Sequence, residues 1–427
     1  MKFVVSRDAL GEAVAFVSRA LPARPVVPVL SGIMLDADDR GLTLSCFDYE
    51  VSARIRVHAE VAEPGTALVP GRLLAEITRS LPARPAEFAS VADVVTLTCG
   101  QAEFGLVCLP AADYPALPAS PDPAGVVDGG VLAAAVAQVA TSASRDDTLP
   151  MLTAICLDIS GETMTLAATD RYRMAARSVD FAATEPGLDI RALVPARFLA
   201  DAAKTFVAGV PVTVSFGAGA AERGEPGRAS RGSRADSGPR PAEGMACFEA
   251  GDRRLTARLI AGEFIRYASR FEGEFGCRAE LPAAAVIEAV RRAALVAERA
   301  GPVRLSFQAG QVVIEAHAEG RARAAETVRA EFEGQEPVIA FNPQFLLDGL
   351  TAAANSGSWG VADADAVDSA RAEETGEGAP ADDAGRVRLE FNTPAKPALI
   401  TWTNDQLRDG VPAFRYLLVP LRVSERA

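Results

Sequence analysis

Two phrases recur three times along the 427 residues of the chain. The first is an apolar stretch of helical character: Asp8-Ala-Leu-Gly-Glu-Ala-Val-Ala-Phe-Val, Gly130-Val-Leu-Ala-Ala-Ala-Val-Ala-Gln-Val and Pro282-Ala-Ala-Ala-Val-Ile-Glu-Ala-Val. The second is Val69-Pro-Gly-Arg-Leu-Leu-Ala-Glu-Ile, Val194-Pro-Ala-Arg-Phe-Leu-Ala-Asp-Ala and Phe341-Asn-Pro-Gln-Phe-Leu-Leu-Asp-Gly-Leu. Its prolines stand at 70, 195 and 343, so the copies are 125 and then 148 residues apart. Each copy of a repeat has to solve the same packing problem, so repetition constrains a fold more than any single motif. A step this long exceeds a solenoid unit and matches a whole small domain. Three copies of one domain follow: residues 1–124, 125–275 and 276–427.

Two segments interrupt the pattern. Residues 217–245 are rich in Gly, Ser, Pro and Arg, and removing them brings the longer step down to about 120 residues, close to the shorter one. Residues 357–386 carry eight acids against Arg371 and Arg386. Neither has an apolar period to offset the entropy of ordering, so both read as mobile surface loops, and the arginines of the first are nearly balanced by its acids. Elsewhere short β-like runs alternate with two helices per third. Leu42-Thr-Leu-Ser-Cys-Phe-Asp, Met164-Thr-Leu-Ala-Ala-Thr-Asp and Val312-Val-Ile-Glu-Ala-His each precede a second strand, at 51–57, 173–179 and 322–328. Strand pairs with turn residues between them predict hairpins. The helices have narrow, alanine-rich apolar stripes, such as Leu10, Val14 and Val17, which suit one face laid on a sheet. The fold class is therefore α+β: three tandem similar domains, each an antiparallel sheet backed by two helices.

Composition removes several kinds of function. The longest uncharged runs, 129–144 and 206–221, have 16 residues each and include polar ones, short of the about 20 apolar residues of a membrane span. With no apolar core for a signal peptide near Met1 either, a cytoplasmic protein is expected. The six cysteines lie at least nine residues apart, which leaves no CxxC pair and predicts buried free thiols. None of Lys2, Lys204 and Lys396 follows a glycine, so no phosphate-cradling GxxxxGK[ST] loop exists. His58 and His317 fall in strand-like segments of different thirds, and no GxSxG elbow or metal-ligand cluster is present. No catalytic residue, metal or cofactor is assigned. The net charge of −13 argues against a coat of nucleic acid, but the acidic segment supplies −6 of it, so a locally basic surface is compatible with the total.

Four strings in order turn the repeat into a resemblance: the opening Met1-Lys-Phe with Arg24-Pro-Val-Val-Pro-Val-Leu, Leu109-Pro-Ala-Ala-Asp-Tyr-Pro, Ala168-Thr-Asp-Arg-Tyr-Arg-Met-Ala175, and Tyr416-Leu-Leu-Val-Pro-Leu-Arg-Val423. From Met1 to Val423, apart from the two insertions, the chain resembles the β sliding clamps of bacterial DNA polymerase III, and its actinobacterial members in particular. That resemblance implies the DNA clamp fold, in which two chains of three domains join head to tail as a homodimer. The ring encircles duplex DNA without reading its sequence and tethers polymerase III, the clamp loader and other proteins with a clamp-binding motif. It is a non-catalytic processivity factor for DNA replication, away from membranes.

The resemblance also assigns residues. A partner-peptide pocket would take Leu152, Thr169, Arg171, Tyr172, Arg173 and Met174 from the second domain and Leu418, Val419, Pro420, Leu421 and Arg422 from the last strand. By themselves these residues read as a plain hairpin turn and a core strand. Arg24, Arg72, Arg79, Arg197 and Lys204, with Arg291, Arg292 and Arg299, would face DNA, because phosphates attract arginine and lysine regardless of sequence. Phe104 from one chain would meet Leu295 and Val296 of the other at the subunit joint. Ile265 stands where the family usually has proline, beside the pocket, and the following Ala268-Ser-Arg-Phe-Glu-Gly drifts as well. Both departures raise the alternative of a duplicated, variant clamp whose pocket tolerates a clamp-directed antibiotic. An unrelated enzyme on a repeat scaffold is the remaining alternative.

Overall fold

A computed structural model describes residues 1–217, 240–242, 244–297, 301–318, 321–356, 385–405, 407–408 and 410–421. Segments 217–245 and 357–386 lie outside the described residues except at their ends, as do Arg299 and Arg422.

The six repeated phrases are six helices: α1 (Arg7–Val17), α2 (Gly71–Ser80), α3 (Gly129–Ala140), α4 (Ala196–Ala203), α5 (Ala283–Val296) and α6 (Pro343–Ala354). Each buries the small and branched residues of its stripe, as α1 does with Leu10, Ala13, Val14, Phe16 and Val17 and α5 with Val286, Ala289, Val290 and Ala293. A fully buried Leu or Val contributes about 1.5–3 kcal/mol, so these few positions hold a short helix that would be marginal alone. Prolines mark the starts: Pro70, Pro195 and Pro282 stand at the N-caps of α2, α4 and α5, where a missing N–H costs nothing.

The chain forms two compact units, 1–133 with 159–163 and 180–261, and 134–158 with 164–179 and 262–427. In the first unit a five-stranded antiparallel sheet has the order 59–63, 2–5, 86–91, 94–99, 102–107, with Phe3 stacked on Phe88 at 4.7 Å between centroids. Its outermost strand, Ala102–Val107, alternates exposed and covered residues and has one open edge. A second sheet of nine strands contains the hairpin Gly41–Phe47 and Val51–Val57, and pairs the latter with Arg253–Arg258. There Ser52 and Thr256 share a buried hydroxyl–hydroxyl hydrogen bond of 2.6 Å, which satisfies both polar groups inside the sheet.

In the second unit the hairpin Thr163–Thr169 and Arg173–Asp180 continues through Phe414–Leu418, Ala398–Trp402, Arg386–Phe391, Cys277–Pro282 and Glu331–Glu333. A four-stranded sheet beside it runs 322–329, 311–318, 303–308, 338–341. Phe307 packs between Phe332 and Phe391, with centroid separations of 5.2 and 5.1 Å. The predicted second strands at 51–57, 173–179 and 322–328 are found at Val51–Val57, Arg173–Asp180 and Ala322–Arg329. All six cysteines are free thiols, five of them buried.

Candidate functional site

The site begins with a turn. Asp170 follows the strand Thr163–Thr169, and its Oδ1 accepts the N–H groups of Tyr172 and Arg173, each at 3.0 Å. Thr169 Oγ1 donates to the carbonyl of Arg173 at 2.7 Å and closes the turn from the other side. Arg171 is thereby held at φ +80°, a backbone region that costs a non-glycine residue free energy and persists only where its surroundings impose it. The effect is directional: Tyr172 is pushed into solvent, 55% exposed, while Arg173 turns inward.

Arg173 ties the turn to α6. Its Nε donates to Asp170 Oδ2 at 2.9 Å, its second donor reaches Asp348 Oδ2, and its guanidinium carbon lies 4.2 Å from the centroid of the Phe345 ring. The guanidinium fork matches two carboxylates and an aromatic face at once, which an ammonium cannot do. Tyr172 stacks against the same ring, with 6.5 Å between centroids. Helix α6 is fixed in turn by its cap: Asn342 Oδ1 accepts the N–H groups of Gln344 and Phe345. Gln344 then donates to Asp348 Oδ1 at 2.8 Å. Tyr416, fully buried, donates its hydroxyl to the Phe345 carbonyl at 2.8 Å, and burial pushes its phenol well above the ordinary range. The helix can approach this ring because it has glycine there: a Cβ on Gly349 would stand 2.5 Å from a Tyr416 ring carbon.

The last strand completes the frame. Arg173 pairs with Leu418 and Met174 with Leu417, the Val419 N–H donates to the Tyr172 carbonyl at 2.9 Å, and the Leu421 N–H to that of Ala340 at 2.8 Å. Alternate side chains therefore differ in access. Leu418 is buried and Pro420 is covered, while Val419 and Leu421 are 37% and 36% exposed. An open row of Tyr172, Val419 and Leu421 over a charged and aromatic floor is a surface that accepts apolar anchors with one or two polar contacts. Leu152, in the 3-10 turn Pro150–Thr153, and Met174 are 7% and 8% exposed. Ile265, from a third segment, is 36% exposed.

Thus Thr169, Arg171, Tyr172, Arg173, Met174, Leu418, Val419, Pro420 and Leu421 are joined by one hydrogen-bonded frame, and Leu152 and Ile265 come from separate segments of the same unit. Asp170, Phe345, Asp348 and Tyr416 were not anticipated, although Phe345 and Asp348 lie inside the recurring second phrase. Behind the site a buried pair supports it: Arg177 donates to Asp405 at 3.1 Å, with side chains only 3% and 2% exposed, and Asp405 also accepts the Phe414 N–H.

The described basic residues assigned to DNA, Arg24, Arg72, Arg79, Arg197, Lys204, Arg291 and Arg292, lie on or beside helices and are exposed, but they are not equally free. Arg72 donates to the carbonyls of Pro22 and Ala23, at 3.0 and 2.7 Å, in the segment that carries Arg24. Lys204 pairs with Asp201 at 2.6 Å, Arg291 with Glu288, and Arg292 holds Glu326 by two bonds of 2.7 Å. Of the joint residues, Phe104 is half-buried on the open strand Ala102–Val107. Leu295, near the end of α5, is 83% exposed, and Val296 is half-buried.

Patterns of known families match this chain in three consecutive places: the N-terminal domain of the DNA polymerase III beta subunit over residues 1–118, its central domain over 126–265 and its C-terminal domain over 274–357. The beta sliding clamp of Streptomyces coelicolor is 43% identical over 424 residues, 99% of this chain and all of that one. A beta sliding clamp homolog named GriR, from Streptomyces muensis, is 40% identical over 351 residues, 82% of this chain and 88% of that one. The crystal structure of the DNA polymerase sliding clamp from Bacillus subtilis superposes with a TM-score of 0.80 at 22% identity, over 99% of this chain and all of that one.

Proposed function

The chain belongs to the DNA polymerase III beta subunit family, and on that footing we propose that it works as a beta sliding clamp. Two copies pair head to tail around duplex DNA and tether polymerase III, the clamp loader and other motif-bearing proteins during replication. It is a processivity factor and catalyses nothing. The observation that carries this reading is the identity to a beta sliding clamp along 99% of the chain, with three family domains in order. No helix among the described residues is long and apolar enough to cross a membrane, and we place the protein in the cytoplasm with its DNA.

We divide the chain at 124 and 275 into three clamp domains. The peptide pocket is the frame around Arg173: Tyr172, Val419 and Leu421 offer apolar contacts, and the Arg173–Asp348–Phe345 cluster sets their positions. Arg24, Arg79 and Arg197 are the exposed cations best suited to DNA phosphates, and Phe104 with Leu295 and Val296 forms the joint between chains. A variant clamp with an altered pocket is the second reading, favoured by Ile265 and its 36% exposure beside the 40% identity to the GriR homolog. The higher identity and fuller coverage of the Streptomyces coelicolor clamp favour the first.

Retention on nicked circular DNA is the test. Protein loaded on such a circle should stay through a gel-filtration column and fall off once the circle is cut, because only topological linkage depends on free ends. Retention unchanged by linearisation, or a monomer at every micromolar concentration in light scattering, would overturn the reading. Affinity for a clamp-binding peptide beside that of a standard clamp separates the two readings.

A further inference from the structure

The repeat extends to the places where consecutive copies meet, and one junction inside the first unit is framed like the site of the second but filled differently. In the turn after Gly41–Phe47, Asp48 Oδ1 accepts the N–H groups of Glu50 and Val51 at 3.0 and 2.7 Å, as Asp170 does for Tyr172 and Arg173. Tyr49 sits at φ +75°, as Arg171 does at +80°. The following strand closes both frames alike: the Arg258 N–H donates to the Glu50 carbonyl at 2.8 Å and the Ile260 N–H to that of Leu193 at 2.9 Å. These match the bonds of Val419 and Leu421. Helix α4 carries Phe198-Leu199-Ala200-Asp201 where α6 carries Phe345-Leu346-Leu347-Asp348.

Several matched positions differ, Glu50 for Tyr172 among them, and one of them decides the corner. Val51 stands where the second unit has Arg173. Arg173 fills its corner with a guanidinium laid over Phe345 and bonded to Asp170 and Asp348. At the matching corner of the first unit a cavity of about 340 Å³ opens instead, lined by Val51, Asp48, Phe198, Asp201 and Leu255, among others. Its carboxylates, Asp48, Glu50 and Asp201, outnumber its arginines, Arg19 and Arg197. Asp48 spends one oxygen on its turn and Asp201 one on the exposed Lys204, which leaves each a second oxygen to offer.

We propose that this cavity is a second docking site, and that its occupant is an arginine side chain on a peptide segment of a partner protein. The guanidinium would take the place that Arg173 holds in the other copy of the frame, between Asp48 and Asp201, with its stem along Phe198 and Leu255. A planar fork bridges two carboxylates and stacks on a ring, so arginine is preferred over lysine. The inference rests on the repeated frame and not on DNA binding or on the pocket of the second unit.

Titration calorimetry of the full chain with the capped peptide acetyl-Leu-Arg-Leu-amide tests it, with citrulline replacing arginine as the uncharged control. The arginine peptide should bind at least tenfold more tightly than the citrulline peptide. Val51→Arg, which supplies the guanidinium from within, should reduce arginine-peptide binding to the citrulline level and raise the thermal midpoint. Asp201→Asn, an isosteric change on an exposed face, should weaken the arginine peptide at least threefold and keeps the test available if Val51→Arg does not fold. A clamp-binding peptide should bind both variants as it binds the natural chain, which separates failure here from failure of the other pocket. Equal affinity for the two capped peptides, or undiminished arginine-peptide binding by the folded variants, would overturn the proposal.

Discussion

The guanidinium of Arg173 lies over the ring of Phe345, 4.2 Å from its centroid, while bonding to Asp348, 175 residues further along the chain. This contact fixes the hairpin turn against α6 and so decides where Tyr172 stands. The Arg173 side chain is only 11% exposed, so its two carboxylate partners meet little competition from water.

Replacing Arg173 with glutamine should therefore act twice. Two carboxylates lose their ionic partner while keeping their other donors, and one ring loses its cation, a loss of about 1–3 kcal/mol in stability. Urea unfolding should show a lower midpoint, and a clamp-binding peptide should bind about tenfold more weakly. Unchanged peptide affinity in a destabilised variant would remove Arg173 from the binding role.

Asp405→Asn is expected to be more severe. Arg177 and Asp405 are almost wholly enclosed, and burial already lowers the Arg177 pKa. Removing the carboxylate takes an ionic partner from a buried guanidinium, at a cost of about 3–5 kcal/mol. Thermal unfolding followed by circular dichroism should detect the drop, whereas replacing both residues with apolar ones should recover much of it.

Gly349→Ala sets helix propensity against packing. Alanine gains about 1 kcal/mol over glycine inside a helix. Its methyl would meet the Tyr416 ring at 2.5 Å, so Tyr416 or α6 must move and the bond to the Phe345 carbonyl suffers. Overpacking of this kind costs about 1–3 kcal/mol, and the net change should be a lower melting temperature. A rise would show that the interface yields freely.

Stability should fall in alkaline solution. Burial raises the Cys46 thiol from 9.0 to about 12 and the Cys247 thiol to about 11. Below pH 9 both states keep these protons and the folded state loses nothing. As pH rises past 9 the unfolded thiols ionise first, and the stabilisation drains until the folded values are reached. Urea midpoints from pH 8 to 11 should decline, and Cys46→Ala should flatten the decline after correction for its smaller side chain.

Salt dependence should rank the basic residues. If Arg79 meets a phosphate, Arg79→Ala should reduce the slope of log affinity for duplex DNA against log salt by about 0.9. Lys204→Ala should change it less, because Asp201 already neutralises that charge at 2.6 Å. Equal slopes for both variants would mean that the ion pair opens on DNA.

Much of this architecture can be read from the chain. The six helices coincide with the repeated phrases because alanine-rich stripes of fixed period leave little choice of buried face. The turn at Asp170 is legible too, since an aspartate after a strand accepts the next free N–H groups. Its partners are not. Phe345 and Asp348 reach Arg173 only through the docking of α6 on Tyr416, and local pattern carries no record of that distant placement. The repeat holds a partial signal, because Phe198 and Asp201 recur in the same phrase. Ion pairing at Lys204, Arg291 and Arg292 also escaped a reading by residue type, which counts charges without seeing what already holds them.

The strand Phe414–Leu418 lies between Arg173–Asp180 and Ala398–Trp402 and pairs with both. During synthesis Arg173–Asp180 emerges well before it and Ala398–Trp402 only shortly ahead, and until it arrives each has one row of peptide groups unpaired. For that interval the nascent second unit has two sticky margins, and neighbouring chains on one message can bridge them. Arrival of residue 418 closes both margins in one event, so the segment that completes the frame around Arg173 also removes two open strand edges.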